Sequence, residues 1–166
     1  CGKPRRSPSS TNWTTSTVAS DGLYSSLAVD SSGDVHISHK STGGSLRYST
    51  YDGISWSTST IDSNGNTGYY SSIAIDSNDE IHISYVRDDK DWLMYAHYNG
   101  SSWSTSTIDS SGSNGFTHPS IAVDSNDGIH VSYFSNDATA LKYASYNGIS
   151  WSISYLDGYV FPTSTG

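Results

Sequence analysis

Ser72-Ile73-Ala74-Ile75-Asp76-Ser77-Asn78-Asp79-Glu80-Ile81-His82-Ile83-Ser84-Tyr85 is the stretch that decides the fold. It opens with a short apolar run that ends in Asp. A cluster of turn-forming Asp, Ser and Asn follows, then a run in which Ile81, Ile83 and Tyr85 alternate with His82 and Ser84. Side chains alternate faces along a strand, so this second run reads as a β-strand with one apolar face. Two strands joined by an acidic turn make a hairpin.

Outward from this stretch the same pattern returns twice. Ser26-Leu27-Ala28-Val29-Asp30 and Ser120-Ile121-Ala122-Val123-Asp124 match the first run, and Val35-His36-Ile37-Ser38 and Ile129-His130-Val131-Ser132 match the second. Leu46-Arg47-Tyr48, Leu93-Met94-Tyr95 and Leu141-Lys142-Tyr143 follow in register. Then come Tyr51-Asp52-Gly53, Tyr98-Asn99-Gly100 and Tyr146-Asn147-Gly148, ahead of Trp56, Trp103 and Trp151. The Trp residues are 47 and 48 positions apart. Each unit therefore reads as four strands, the third over about 93–98 and the fourth starting at Trp103. Asn99-Gly100 is expected to make a type I′ turn with positive φ at both residues. The fourth strand, Trp-Ser-Thr-Ser-Thr-Ile, is polar at alternate positions, as an outer strand half in water should be.

Four strands about every 47 residues, with no helix between them, is the pattern of β-propeller blades. The fold class is all-β: three four-stranded antiparallel blades at about 23–62, 70–109 and 118–157, plus an extra strand at 13–18 whose Trp13-Thr14-Thr15-Ser16-Thr17-Val18 repeats the fourth-strand pattern. Residues 1–11 read as a polar N-terminal tail, 12–157 as the propeller segment and 158–166 as a C-terminal tail. Closed propellers use about four to eight blades. Three blades leave two apolar faces in water, at a cost of roughly 25 cal/mol per Å². Self-association or further blades are expected to complete the ring.

The repeat resembles a class of repeats in secreted and cell-surface β-propeller proteins of bacteria and archaea, distantly similar to sialidase-type folds and mostly without an assigned activity. The resemblance covers about residues 12–157, and His39 departs from it where the other units have Tyr85 and Tyr133. It implies an extracellular or cell-surface location and says little about activity, because one fold hosts many functions. Sialidase chemistry would need three arginines around the substrate carboxylate, and the blades contain only Arg47 and Arg87.

Of 166 residues, 34% are apolar, 13 are Tyr and five are Trp. The net charge is −8, and all sixteen acids but only five of the eight basic residues lie from Ser7 onward, so the body carries −11. That charge disfavours nucleic acid as a partner and leaves glycans, proteins and cations. The lone cysteine, Cys1, excludes an intrachain disulfide. No apolar stretch is long enough to span a membrane. Cys1-Gly2 ahead of a polar stretch resembles the mature start of a bacterial lipoprotein, which would place a lipid anchor at Cys1; a chance chain end is the alternative reading.

Repeated residues are better explained by the blade than by one active site. His36, His82 and His130 read as structural, each bonded to a neighbouring polar group, with a metal site as the rival reading that lacks a ligand cluster of standard spacing. Two readings stay open for the hairpins at Asp76, Asn78, Asp124 and Asn126. They form either Asx turns, in which Asp bonds local amides, or weak Ca²⁺ sites, so the cofactor expectation is none, with Ca²⁺ as the alternative. Ligand-binding candidates come from segments that break the repeat. Loops 62–70, 87–92 and 109–119 carry Tyr69, Tyr70, Arg87, Asp88, Asp89, Trp92, Phe116 and His118, expected on one face as aromatics beside acids. Tyr24, Tyr70 and His118 occupy matching positions, which favours a structural role for them. Asn12 and Asn99 lie in N-glycosylation sequons. The expected function is a non-catalytic extracellular module that binds a protein or glycan. The rivals are a structural, Ca²⁺-stabilised assembly subunit and a glycoside hydrolase completed by other blades.

Overall fold

The computed structural model describes residues 15–157. Among the described residues, twelve strands form three sheets and there is no helix. Blade 1 holds β1 (Gly22–Val29), β2 (Val35–Ser41), β3 (Leu46–Tyr51) and β4 (Trp56–Asp62). Blade 2 holds β5 (Tyr69–Ile75), β6 (Ile81–Arg87), β7 (Trp92–Tyr98) and β8 (Trp103–Asp109). Blade 3 holds β9 (Phe116–Val123), β10 (Ile129–Ser135), β11 (Ala140–Tyr146) and β12 (Trp151–Tyr155). Each sheet runs in sequence order and pairs antiparallel throughout, so each blade is a meander. The expected all-β architecture of three four-stranded blades is the one observed.

The core sits between the blades. One cluster joins blades 1 and 2 and includes Leu46, Ile73, Ile83 and Tyr85. The other joins blades 2 and 3 and includes Leu93, Ile108, Phe116, Val131 and Tyr133. Flanked on both sides, β6 is buried along almost its whole length, not on the Ile81–Ile83–Tyr85 face alone.

The structure corrects two local expectations. The Asn99-Gly100 turn is not type I′: Gly100 has φ +82°, but Asn99 is not at positive φ. Instead the loop spans four residues, and the Asn99 side-chain oxygen accepts hydrogen bonds from the amides of Ser101 and Ser102. The first strand of each blade also begins earlier than the apolar run suggests. Tyr69 and Tyr70 belong to β5, and Phe116 and His118 to β9. Tyr24, Tyr70 and His118 sit where the ladder slips register, at φ of 52°, 52° and 51°. A β-bulge carries them, which re-aims a side chain at a local cost in strain.

Asn12, Cys1, Trp13 and the C-terminal tail lie outside the described residues. Thr15–Val18, the described part of the expected extra strand, join no ladder. Ser16 to Ala19 lie beside Gly22, Ser25, Ile37 and His39 of blade 1.

Candidate functional site: the cleft between blades 2 and 3

Each blade carries an Asp–His–Tyr chain. The Nδ1 atoms of His36, His82 and His130 lie 2.5, 2.6 and 2.6 Å from the hydroxyls of Tyr48, Tyr95 and Tyr143. Nε2 faces Asp30, Asp76 or Asp124 at 3.1, 3.4 and 3.0 Å. With Nε2–H directed at the carboxylate, Nδ1 accepts from the Tyr hydroxyl. The same Asp fixes its own hairpin: Asp76 Oδ1 accepts from the amides of Asn78 and Glu80, and Asp124 Oδ1 from those of Asn126 and Gly128. These are Asx turns. No cluster of three or more His, Cys, Asp or Glu suited to a metal occurs among the described residues.

The frame repeats, but its surroundings do not. The cross-strand partner of the repeated His is Thr50 in blade 1, Ser145 in blade 3 and His97 in blade 2. His97 stacks on His82 with centroids 4.8 Å apart and planes 6° apart. Its Nε2 lies 2.7 Å from Glu80 Oε2. Glu80 replaces Asp34 of blade 1 and Gly128 of blade 3. Blade 2 alone therefore carries an imidazole–carboxylate pair at this position.

This pair lines a cleft of about 630 Å³ between blades 2 and 3. Its floor holds Tyr95, edge-on to Trp151 at 5.2 Å, and its far wall holds Tyr146, Asn126 and Asn147. Ser77 ties the rim shut from blade 2: its amide and hydroxyl donate to Asp127 at 2.9 and 2.7 Å. The His82 ring is 4% exposed, and its Nε2 lacks a well-formed hydrogen bond, because Asp76 stands at 3.4 Å. Burial holds the His82 imidazole below its usual pKa, outweighing the nearby Asp76 carboxylate that raises it. Burial also raises the Tyr95 phenol. For Asp76, burial pushes the carboxyl up, but the amides of Glu80 and Asn78 and the His82 ring bring it below the ordinary range. At neutral pH the cleft thus offers a neutral imidazole, ionised Asp76, phenols, amides and hydroxyls.

Glu80 is the cleft carboxylate least used by the protein. Asp76 and Asp127 each accept at least two bonds, whereas Glu80 meets only His97 among the described residues. The arrangement can accept and donate hydrogen bonds to a polyhydroxylated ligand laid against an aromatic wall.

The candidates from the repeat-breaking loops are placed differently. Arg87 is spent on Asp89, at 3.0 and 3.1 Å in a bidentate pair, and lies over Trp92 at 5.6 Å. The Arg87 hydrogen bond holds Asp89 below the ordinary carboxylate range. Asp89 also accepts from the Asn66 amide, and Asp88 from the Asn66 side chain. Gly65, at φ +94°, lets the two loops approach, since a Cβ there would collide with the Asp89 carboxylate. The acids thus tie loop to loop. Phe116 is 1% exposed and packs edge-on against Tyr133, so its ring belongs to the core and not to a solvent-facing surface. Tyr69 packs on Tyr24 and under Lys40. Tyr70 lies 4.9 Å from Tyr24 and 4.7 Å from His118, and this column lines a second, smaller pocket of about 260 Å³. Asn99 is exposed, in its turn. The sequence reading missed the 2/3 cleft. The signal was present, since positions 80 and 97 break the repeat inside a hairpin and a strand and not in a long loop.

No protein-family model and no characterised protein sequence matches the chain. Solved structures do match. A fucose lectin from Kordia zhangzhouensis in complex with methyl-fucoside is 18% identical with a TM-score of 0.53, over 78% of this chain and 96% of that one. The SapL1 lectin in complex with alpha methyl fucoside is 14% identical with a TM-score of 0.65, over 83% of this chain and 49% of that one. An ulvan lyase of polysaccharide lyase family PL25 is 14% identical with a TM-score of 0.61, over 86% of this chain and 44% of that one. The chain spans about half the length of the latter two. At these identities the likeness speaks for the fold: the three blades are built as in propeller lectins.

Proposed function

We propose that this chain is a non-catalytic carbohydrate-binding module of an extracellular or surface protein, and that it takes a neutral sugar in the cleft between blades 2 and 3. The observation that carries the reading is the Glu80–His97 pair, set where the repeat breaks and facing an aromatic and amide wall. A carboxylate and an imidazole side by side suit vicinal hydroxyls, and the Tyr146 ring offers a face for the apolar side of a pyranose. The body charge of −11 favours a neutral glycan over an acidic one. The lectin fold of the matched structures supports the same reading.

The non-catalytic part rests on the carboxylates. Glycoside hydrolysis needs two of them flanking the scissile bond. In the cleft, Glu80 is the only one not already committed to turn or rim. A glycan array followed by calorimetric titration tests the proposal. Neutral glycans should bind, and Glu80→Gln and His97→Ala should each weaken binding about tenfold or more with the melting temperature little changed. Binding that both variants leave intact, or turnover of a polysaccharide by the wild type, would overturn it.

A further inference from the structure

We infer that a second copy of this chain closes the ring, the bare face of blade 1 in one copy packing on the bare face of blade 3 in the other. This inference rests on the blade architecture and not on sugar binding.

The repeat makes the two internal joints templates for the missing one. At the first, Tyr48 of blade 1 meets Trp103 of blade 2 edge-on at 5.2 Å; at the second, Tyr95 meets Trp151 at 5.2 Å. Tyr143 and Trp56 are the remaining members of the two series, at opposite ends of the chain. Ser26 Oγ accepts from the Ile73 amide at 3.2 Å, and Ser72 Oγ from the Ile121 amide at 3.2 Å. Ser120 and Leu27 remain. The apolar positions agree. Ile73 and Ile121 are each 7% exposed at the joints, whereas their counterpart Leu27 is 58% exposed; Ile108 is 6% exposed and its counterpart Leu156 57%. Each bare face has the complement of the other, so the contact is head-to-tail. A head-to-tail contact either closes a ring or runs on as a filament. Three blades are half of a six-bladed ring, within the range that propellers use, so two copies close it.

The Asp–His–Tyr chains register the same absence. His82 and Asp76, covered by blade 3, have side chains 5% and 6% exposed, and His36 and Asp30, covered by blade 2, 10% and 12%. His130 and Asp124 stand at 35% and 42%. Closure would cover them and would build a third cleft, with Asp124, His130 and Tyr143 from one copy and Asp34, Tyr51 and Asp52 from the other. That cleft does not exist in one chain.

The new joint lacks one tie. Ser31 donates to Asp79 and Ser77 to Asp127 across the internal joints, but Ser125 would face Gly33.

Light scattering coupled to size exclusion, on the full chain at micromolar concentration, tests the inference. The expected mass is twice the 17.9 kDa of the chain. Leu27→Asp should return it to the single-chain mass with the β-sheet circular dichroism unchanged. If that variant does not fold, Leu156→Asp, on the opposite bare face, should do the same. A folded wild type at the single-chain mass, for instance with Ser16 to Ala19, which lie beside Ile37 and His39, left as the cover of the blade 1 face, overturns the inference. So does an open polymer, or a dimer that both variants leave intact. The readout is mass, so its failure and the failure of sugar binding are separate results.

Discussion

The middle blade and its two flanks are built from almost the same residues yet live in different surroundings. Every residue of β6 except Arg87 is buried, while β1 and β12 are mostly exposed. Ile73 and Leu27 hold the same place in the repeat and differ in exposure by 7% against 58%. A blade cannot bury its faces alone, and burial follows from having a neighbour on each side. The two joints that do form are also unequal. Tyr85 donates to Asp62 at 2.8 Å across one, with Met94 alongside. Tyr133 donates to Asp109 at 2.7 Å across the other, where Lys142 adds an ion pair at 2.9 Å. Both side chains of that pair are 5% exposed or less. A single exchange, Met94 against Lys142, adds a buried ammonium to what is otherwise a lone phenol–carboxylate hydrogen bond.

This inequality predicts the largest effect. Asp109→Ala would strand the Lys142 ammonium in the core and should cost about 3–5 kcal/mol. Asp62→Ala strands only a phenol and should cost about 1–3 kcal/mol. Chemical denaturation of the two variants measures both, and equal losses would break the comparison. Next in size is the acid response of the buried imidazoles. Burial lowers the pKa of His39 and of His82, so the folded state favours the neutral ring. The unfolded chain then binds more protons as pH falls below about 6.5, and stability declines from there towards the lowered folded values. The melting temperature should be lower at pH 5 than at pH 7.5, and His82→Gln should flatten the slope. At lower pH the hairpin acids contribute in the same direction. The His130 hydrogen bond, with the amides of Gly128 and Asn126, lowers Asp124 to about 2. Its contribution is complete above the unfolded value near 4 and is lost as pH falls through about 2, so Asp124→Asn should shift the acid-unfolding midpoint slightly. The smallest effect belongs to the exposed loop tie. Asp89→Ala should cost about 1 kcal/mol or less, because its pairing with Arg87 is solvent-screened.

Much of the fold was legible because the repeat states it three times. Period-2 alternation located β2, β6 and β10, and the Trp residues located the start of β4, β8 and β12. The structural reading of the repeated His also matches the geometry, since each is held by its own Tyr and Asp. Three things lie outside what the repeat states. The bulges at Tyr24, Tyr70 and His118 place non-glycine residues at positive φ, where no glycine announces the irregularity. Phe116 reads as a loop aromatic because it falls in the repeat-breaking segment 109–119, but β9 starts there and carries it into the core. Glu80 and His97 lie 17 residues apart, and only the hairpin register brings them together. A search for repeat-breaking positions within strands and turns, beside those in loops, would have found that pair.

The central claim is that the middle blade's departure from the repeat, and not the loop face, is where a ligand sits. Backbone amide NMR of the labelled chain, titrated with methyl-fucoside and with the neutral glycans that score on an array, tests it most directly. The account predicts shifts concentrated at Glu80, His97, Ser104 to Ser106, Asn126 and Asn147. Shifts confined to Asp88, Asp89 and Trp92, or no shift with any of these sugars, would contradict it.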